Sequence, residues 1–381
     1  MAAKFKIYRD GLGTLVGMIF GAGIFGLPFA FAQAGIFWGF LHFGIALFLM
    51  FFFHLTYGEI AFLTDGQMRF TGYVRKFLGR RAEFLAFLTT IFGYYGALLA
   101  YGILGGIFLK VFLPHISVLN SSLLFFAAAA AFSLFHFKSI GTLNFYLTIP
   151  IFIFIIYLFF LSAPSFELGN FLTGSAKSWL LPYGVWLFAL GGFAAIPEAR
   201  DIMKGATLVD FKKVIVWSLL ICSIFYLIFI VAVLGASGAA TTQDALTGLG
   251  GRTGRIAVLT GSLVGFFAVF TSYIALAADL QNIYIFDYGR SRFFSWWLAV
   301  LAAPVLFVSG VTNLVKVLEV TGAVGLGVFG IFVIEMARRF HRVYPQHRHF
   351  LLGPKKWLRW VLILCLLAGV FLEIAYLLNL L

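Results

Sequence analysis

The sequence predicts an all-α polytopic membrane protein with eleven transmembrane helices. Its composition is 62% hydrophobic and 11% charged, with a mean hydropathy of +1.03, whereas soluble domains carry about 25% charged residues. It also divides into apolar runs of about the 20 residues that cross a bilayer. The runs lie near residues 12–32, 36–62, 83–109, 121–137, 143–162, 179–199, 212–236, 255–285, 294–310, 314–337 and 357–380.

The basic residues follow the predicted topology. With a cytoplasmic N-terminus, 22 of the 27 Lys and Arg residues fall in inner segments, as the positive-inside rule requires. The net charge of +13 therefore needs no nucleic-acid partner. Eleven spans place the C-terminus outside. We expect a multi-pass protein of the cytoplasmic (inner) membrane of a prokaryote, with the lipid bilayer as its surroundings and function as a monomer.

The sequence contains no motif that is typical of an enzyme. Cys222 and Cys365 both lie in apolar runs, where a thiol behaves as a small hydrophobic group. Neither His-x-x-x-His nor Cys-x-x-Cys spacing occurs. We therefore expect no catalytic residue and no cofactor beyond a coupling ion.

Two spans are interrupted by glycine and proline at matching positions. Residues 21–28 of span 1 read Gly-Ala-Gly-Ile-Phe-Gly-Leu-Pro, and residues 191–198 of span 6 read Gly-Gly-Phe-Ala-Ala-Ile-Pro-Glu. The two prolines are 169 residues apart, which fits five spans per repeat and opposite directions for spans 1 and 6. We predict one five-helix repeat in residues 1–178, an inverted one in residues 179–340, and a cytoplasmic loop with helix 11 in residues 341–381.

Each interruption predicts unwound backbone in mid-membrane, with proline in the first turn of the helix that resumes. Such backbone is tolerated only beside protein or a polar cavity. Half-helix N-termini attract a carboxylate and free carbonyls attract an ammonium group or a cation, so a zwitterion would fit. The alternative is that the glycines only allow close helix packing. The predicted substrate-binding residues are Gly21, Ala22, Gly23, Ile24, Phe25, Gly26, Phe188, Leu190, Gly191, Gly192 and Phe193.

The interrupted segments resemble those of amino-acid permeases. The span 1 motif and Ile196-Pro197-Glu198 in span 6 are similar to the amino acid/auxin permease and hydroxy/aromatic amino acid permease group of the amino acid-polyamine-organocation superfamily. The resemblance implies a leucine-transporter-type five-plus-five fold and amino-acid symport. It also implies that amides of residues 22–26 bind the substrate carboxylate, and that Phe25, Phe188 and Phe193 flank the pocket.

Relatives of this fold often bind sodium between spans 1 and 8. The resemblance implies carbonyls near Gly17 and Phe20, together with Ala268, Thr271 and Ser272, whose spacing places one carbonyl and two hydroxyls on one helical face. Alternatively, the hydroxyls bond back to the preceding turn. A proton is the other candidate coupling ion. Some relatives place a lysine in span 5 for that purpose, and residues 143–162 contain none.

Ionisable residues inside a membrane are functional candidates. Glu198 follows the span 6 break, where it could cap free amides as a gate residue. His54 and Glu319 could relay protons, although a histidine bonded to a backbone carbonyl is more common. Asp279 lies about two turns inward of Ser272. We expect these four residues, His54, Glu198, Asp279 and Glu319, to gate the pathway or relay protons.

Together these features predict a secondary active amino-acid transporter that works by cation-coupled symport and alternating access. The substrate is an amino acid of unspecified side chain, held as a zwitterion at the two breaks. Alternatives are a proton-coupled or exchange-type carrier of another small organic amine or acid and, with less support, a channel or a membrane enzyme. A channel would more usually have a carbonyl filter or a charged ring.

Overall fold

The computed structural model describes residues 2–135, 140–344, 356–378 and 380, and all regular structure in these ranges is helical. The α-helices of the first half are α1 (Ala2–Ile19), α2 (Gly23–Ala34), α3 (Ile36–Leu63), α4 (Phe70–Leu78), α5 (Arg80–Phe112), α6 (Val118–Phe132) and α7 (Ile140–Ser162). Those of the second half are α8 (Leu181–Ala189), α9 (Ala195–Ile202), α10 (Leu208–Ser237), α11 (Gly250–Thr253), α12 (Arg255–Asn282), α13 (Arg292–Val308), α14 (Leu314–Val320), α15 (Gly327–Val343) and α16 (Lys356–Leu377).

The prediction of a polytopic all-α membrane protein is confirmed. Within the described residues, seven helical segments are long and apolar enough to cross a membrane, and α1 with α2 forms an eighth span bent by 44°. The remaining predicted spans correspond to α6, α13 and the pair α8 and α9. The helices α6 and α13 have 15 and 17 residues, less than the roughly 20 expected for an upright span. The predicted end of span 4 at residue 137 lies outside the described residues.

The two interrupted spans cross in opposite directions. The first half of span 1, α1, packs on α9, the second half of span 6, while α2 packs on α8. Such pairing of first with second halves requires an antiparallel arrangement, as an inverted repeat demands. The repeat boundaries at residues 178 and 340 stay a prediction.

The break in span 1 is shorter than predicted. Only residues 20–22 separate α1 from α2, so residues 23–26 form the first turn of α2 instead of unwound backbone. The expectation for Pro28 is wrong as well, because this residue lies in the second turn of α2. A proline there leaves the carbonyl of Ile24 without its helical donor. Pro197, in contrast, does lie in the first turn of its helix, α9.

The break in span 6 is longer. Residues 190–194 separate α8 from α9, and Gly192 has a φ of +130°, a conformation that favours glycine. The amides of Ala195 and Ile196 donate to the carbonyls of Gly192 and Phe193 over 3.0 and 3.1 Å. The chain therefore re-enters the helix through tight turns that leave few backbone groups exposed to lipid.

Candidate functional site

A cavity of about 90 Å³ lies between the two breaks. Span 1 contributes Ile19, Gly21 and Gly23, and span 6 contributes Phe188 and residues 191–194. The opposite wall comes from α5, α12, α15 and the π-helical segment Thr321–Leu326 that joins α14 to α15. Single π-helical turns inside α-helices are frequent at functional sites. The predicted breaks thus meet at one cavity.

The lining of this cavity is uncharged. Its polar side chains are hydroxyls, on residues that include Thr90, Tyr94, Tyr101 and Thr321, and most of the remaining surface is apolar or aromatic. Any ligand charge must therefore be met by backbone groups and helix ends. The first turn of α2 presents a helix N-terminus, which favours a carboxylate. The C-terminal carbonyls of α1 and α8 favour a positive group.

Tyr226, on α10, joins the ends of the two half-helices. Its hydroxyl lies 2.6 Å from the carbonyl oxygen of Ile19, the last residue of α1, and 3.0 Å from that of Ala189, the last residue of α8. A buried hydroxyl with both acceptors in reach fixes the spacing of the two breaks. Nothing in the sequence indicates this residue, because a tyrosine in an apolar run carries no signal of the carbonyls that it meets.

The glycines at the breaks allow close approach of the chain. A Cβ on Gly23 would lie 2.4 Å from the Cα of Ala189, and one on Gly192 would lie 2.6 Å from Cγ1 of Ile19. A Cβ on Gly21 would lie 2.7 Å from the Tyr101 hydroxyl at the cavity wall. The sequence left open whether these glycines form the binding site or only allow close helix packing. At these positions they allow close packing beside the cavity, so the two explanations are compatible.

The structure separates the predicted substrate-binding residues into two groups. Gly21, Gly23, Phe188, Gly191, Gly192 and Phe193 line the cavity, while Ala22, Ile24, Phe25, Gly26 and Leu190 do not. The ring of Phe25 packs instead on Phe108 and Phe229, with ring centroids 5.0 and 5.8 Å apart. It lies in the helix core, because residue 25 is already helical and faces α5 and α10.

The predicted sodium ligands do not all converge. The hydroxyl of Ser272 on α12 lies 3.5 Å from the carbonyl oxygen of Gly17 on α1. The hydroxyl of Thr271 instead lies 3.0 and 3.2 Å from the carbonyl oxygens of Phe267 and Ala268 in its own helix. Back-bonding thus occupies Thr271 and the Ala268 carbonyl. Phe20 packs its ring on Phe152 and Tyr226. The assignment of these residues as sodium ligands stays a prediction.

Four rings form a continuous stack below the cavity, which we call the ring stack. It consists of His54, Phe193, Phe329 and Phe70, with successive centroids 4.5, 4.3 and 3.7 Å apart. Phe193 and Phe329 also line the cavity. His54 places Nδ1 2.9 Å from the carbonyl oxygen of Met50, the common arrangement for a buried histidine. The ring stack separates the cavity from the loop that contains residues 64–69.

An ion-pair network lies beyond the ring stack. Nε of Arg69 is 2.9 Å from Oδ1 of Asp279, and the Tyr94 hydroxyl donates to Oδ2 of Asp279 over 2.5 Å. Arg69 also approaches Asp201 on α9, at 3.9 Å. Burial opposes the charge of Arg69, but Asp279 and Asp201 raise the pKa of its guanidinium. The predicted gate residue Asp279 thus has a partner, Arg69, that the sequence analysis had counted only as an inner-loop charge.

Glu198 does not cap the helix in whose first turn it lies, whereas Asp287 does bind a helix N-terminus. Glu198 makes no hydrogen bond to any described residue, and α9 has no side-chain cap, so the predicted capping role is wrong; the carboxylate interacts electrostatically with Arg69 and Asp279. Asp287 instead binds the start of α4. It accepts from the Thr71 hydroxyl over 2.5 Å and from the Gly72 amide over 2.9 Å, as a carboxylate does at a helix N-terminus.

Comparison with known proteins identifies the family. The model of the tryptophan/tyrosine permease family matches residues 10–374. The chain belongs to that family. It is therefore a transporter of the permease class and not an enzyme. The fold resembles that of MhsT, solved in complex with L-phenylalanine, with a TM-score of 0.73 and 16% identity over 96% of this chain and 98% of that chain. No curated protein sequence matches the chain.

Proposed function

We propose that this member of the tryptophan/tyrosine permease family is a secondary active transporter of aromatic amino acids, which it moves by cation-coupled symport and alternating access. One observation carries the proposal: an uncharged, aromatic-walled cavity lies where two antiparallel broken helices meet. The family name and the L-phenylalanine held by MhsT support the substrate class. The wider resemblance to the amino acid-polyamine-organocation superfamily is part of the same proposal.

The substrate would lie with its charges on backbone groups. Its carboxylate would meet the first turn of α2, and its ammonium group would face the carbonyl ends of α1 and α8 that Tyr226 holds together. Its ring would lie against Phe188, Phe193 and Phe329, since aromatic pairs favour stacked or edge-to-face contact. Backbone groups would select the amino acid and the rings would select its side chain.

Release of the substrate to the cytoplasm would require the ring stack and the Arg69–Asp279 pair to separate. We call these two features together the inner closure. The ring stack and the Arg69–Asp279 pair connect α3, α4, α9, α12 and α15 directly below the cavity. Both would separate when the half-helices α1 and α9 move. We further propose that the monomer is the transporting unit, in a prokaryotic inner membrane with the N-terminus inside.

Counterflow in proteoliposomes tests the substrate class. We expect labelled tryptophan, tyrosine and phenylalanine to exchange, and alanine and glutamate not to. A Phe193→Leu variant should lose aromatic exchange by about two- to tenfold, since one good aromatic contact contributes about 0.5–1.5 kcal/mol. The matched control is Phe160→Leu, on the exposed face of α7. Equal exchange of all five amino acids would contradict the proposal.

A further inference from the structure

We infer that Glu319 and Glu373 form a proton-binding site between spans 6, 10 and 11 that is separate from the substrate cavity and coupled to it. The inference rests on the proposed function. It identifies the coupling ion as a proton and places its binding site at these two carboxyls.

Both carboxyls are buried without partners. Glu319 on α14 is 3% exposed and Glu373 on α16 is 0% exposed. Among the described residues, neither oxygen of Glu373 and not Oε1 of Glu319 has a hydrogen-bond partner. A buried, unpaired carboxylate costs several kcal/mol, whereas a protonated carboxyl carries no charge. This conformation is therefore the one in which the pair holds at least one proton.

A third group points into the same place. Tyr183 on α8 is 4% exposed, and its hydroxyl has no partner among the described residues. A Cβ on Gly369 would lie 2.2 Å from that hydroxyl, so Tyr183 contacts α16 one turn before Glu373. A hydroxyl can donate to an ionised carboxylate or accept from a protonated one. The Tyr183 hydroxyl could therefore hydrogen-bond to the carboxyl pair in both its ionised and its protonated state.

The surrounding groups favour a proton over a metal ion. Lys316, exposed at the start of α14, interacts electrostatically with both carboxyls and forms no ion pair with either among the described residues. The other titratable groups that face the site are Tyr183, Tyr376, Cys365 and, against the Tyr183 ring, His42. Sodium needs several oxygen ligands, whereas a proton needs one oxygen.

The site is mechanically connected to the cavity wall. Glu319 lies two residues before Thr321, where the π-helical segment Thr321–Leu326 begins, and Thr321, Gly325 and Leu326 line the cavity. The backbones of α8 and this segment touch, since a Cβ on Gly322 would lie 1.9 Å from the carbonyl oxygen of Gly184. Ionisation of the pair would draw water and charge toward α14 and α16. A resulting displacement of α14 would move the π-helical segment, which lines the substrate cavity.

The sign of the coupling follows from linkage. If protonation favours the closed, substrate-holding conformation, substrate binding takes up a proton, and the dissociation constant falls as the pH falls. One proton gives a change of up to about tenfold per pH unit. Deprotonation on the other side of the membrane would weaken binding and release the amino acid.

The test is equilibrium binding of labelled tryptophan to the full-length protein from about pH 5 to about pH 8. Wild type should bind more tightly at low pH, and the double variant Glu319→Gln with Glu373→Gln should show a flat profile while counterflow persists, because exchange needs no net proton movement. The control is Glu335→Gln, whose carboxylate pairs with Arg338 on the surface of α15; it should keep the wild-type slope.

The possible outcomes separate the two proposals. The proton site is overturned if the dissociation constant of the double variant depends on pH as in wild type, or if that of wild type does not depend on pH. Neither result would contradict the proposed transport function. Failure of wild type to bind or exchange any aromatic amino acid overturns the proposed function instead. If the double variant does not fold, infrared difference spectra of wild type and Glu373→Gln test whether Glu373 binds the proton. A protonated-carboxyl band that titrates in wild type and is absent from Glu373→Gln supports the site, and an unchanged band overturns it.

Discussion

At the scale of single residues, the site depends on atoms that bring two helix ends together. Tyr226 holds the last carbonyls of α1 and α8, and Gly192 makes room for Ile19 in a backbone conformation that other residues adopt poorly. The family resemblance predicted that the two breaks form the site, but the sequence did not identify Tyr226 or Ile19 as their contacts. Tertiary contact alone determines which of 15 tyrosines bonds to the breaks.

Replacing Gly192 with alanine tests the close approach of the breaks. The new Cβ would clash with Ile19 at a positive φ, and backbone strain of this kind costs about 1–3 kcal/mol. We expect a lower melting temperature in detergent and loss of counterflow. The control Gly44→Ala, on α3 where a Cβ would meet nothing within 4 Å, should melt no lower than wild type. Equal melting of both variants would show that the break tolerates a side chain.

Replacing Tyr226 with phenylalanine tests the link between the half-helices. The ring stays, and two carbonyls lose their donor, which costs about 1–3 kcal/mol in a buried site. We expect the affinity for tryptophan to fall by about tenfold at unchanged expression. Tyr157→Phe, on the exposed side of α7, is the matched control. Unchanged affinity in Tyr226→Phe would mean that the hydroxyl does not shape the binding site.

At the scale of elements, the inner closure joins segments that are distant in the chain. Arg69 lies between α3 and α4, Asp279 lies on α12, and the two interact across 2.9 Å. Asp287 holds the start of α4 and so places Arg69. Glu59 on α3 is fully buried and pairs with Lys212 at the start of α10. The pattern of basic loops predicted which side these residues occupy, but not their partners.

Breaking the Arg69–Asp279 pair should open the cytoplasmic side. In Arg69→Gln, Asp279 loses its positive partner, and an unpaired buried charge costs about 3–5 kcal/mol. We expect a cysteine placed by Ala194→Cys at the cavity to react faster with a membrane-impermeant maleimide applied from the cytoplasmic side. Arg338→Gln removes an exposed pair worth about 0–1 kcal/mol and should not change the rate. Equal rates in the two variants would exclude Arg69 from the closure.

At the scale of the whole molecule, the number of spans bears on the orientation of the chain ends. The predicted eleven spans with basic inner loops would place residue 4 in the cytoplasm and residue 380 outside. The span beyond the repeats, α16, packs on α15 and on the π-helical segment. It brings Glu373 toward Glu319, so the added helix completes a site that the ten repeat helices lack.

The orientation can be measured by cysteine labelling in intact cells. We expect Leu380→Cys to react with an impermeant maleimide added outside, and Lys4→Cys to react only after the membrane is permeabilised. The positive-inside arrangement is the physical reason, because basic loops resist translocation. The reverse pattern would require an even number of spans or an inverted protein.

Sequence patterns alone indicate that the chain lies in lipid and where the two breaks are, and they predict the direction of each span. Hydropathy, loop charge and glycine-proline pairs are local properties, and the physics of the bilayer converts them directly into topology. Three-dimensional packing alone reveals the length of each break, the back-bonding of Thr271, the placement of Phe25 away from the cavity, and the partners Tyr226, Arg69 and Glu373. These depend on which helix faces meet, and in a chain that is 62% hydrophobic no local pattern distinguishes one apolar face from another.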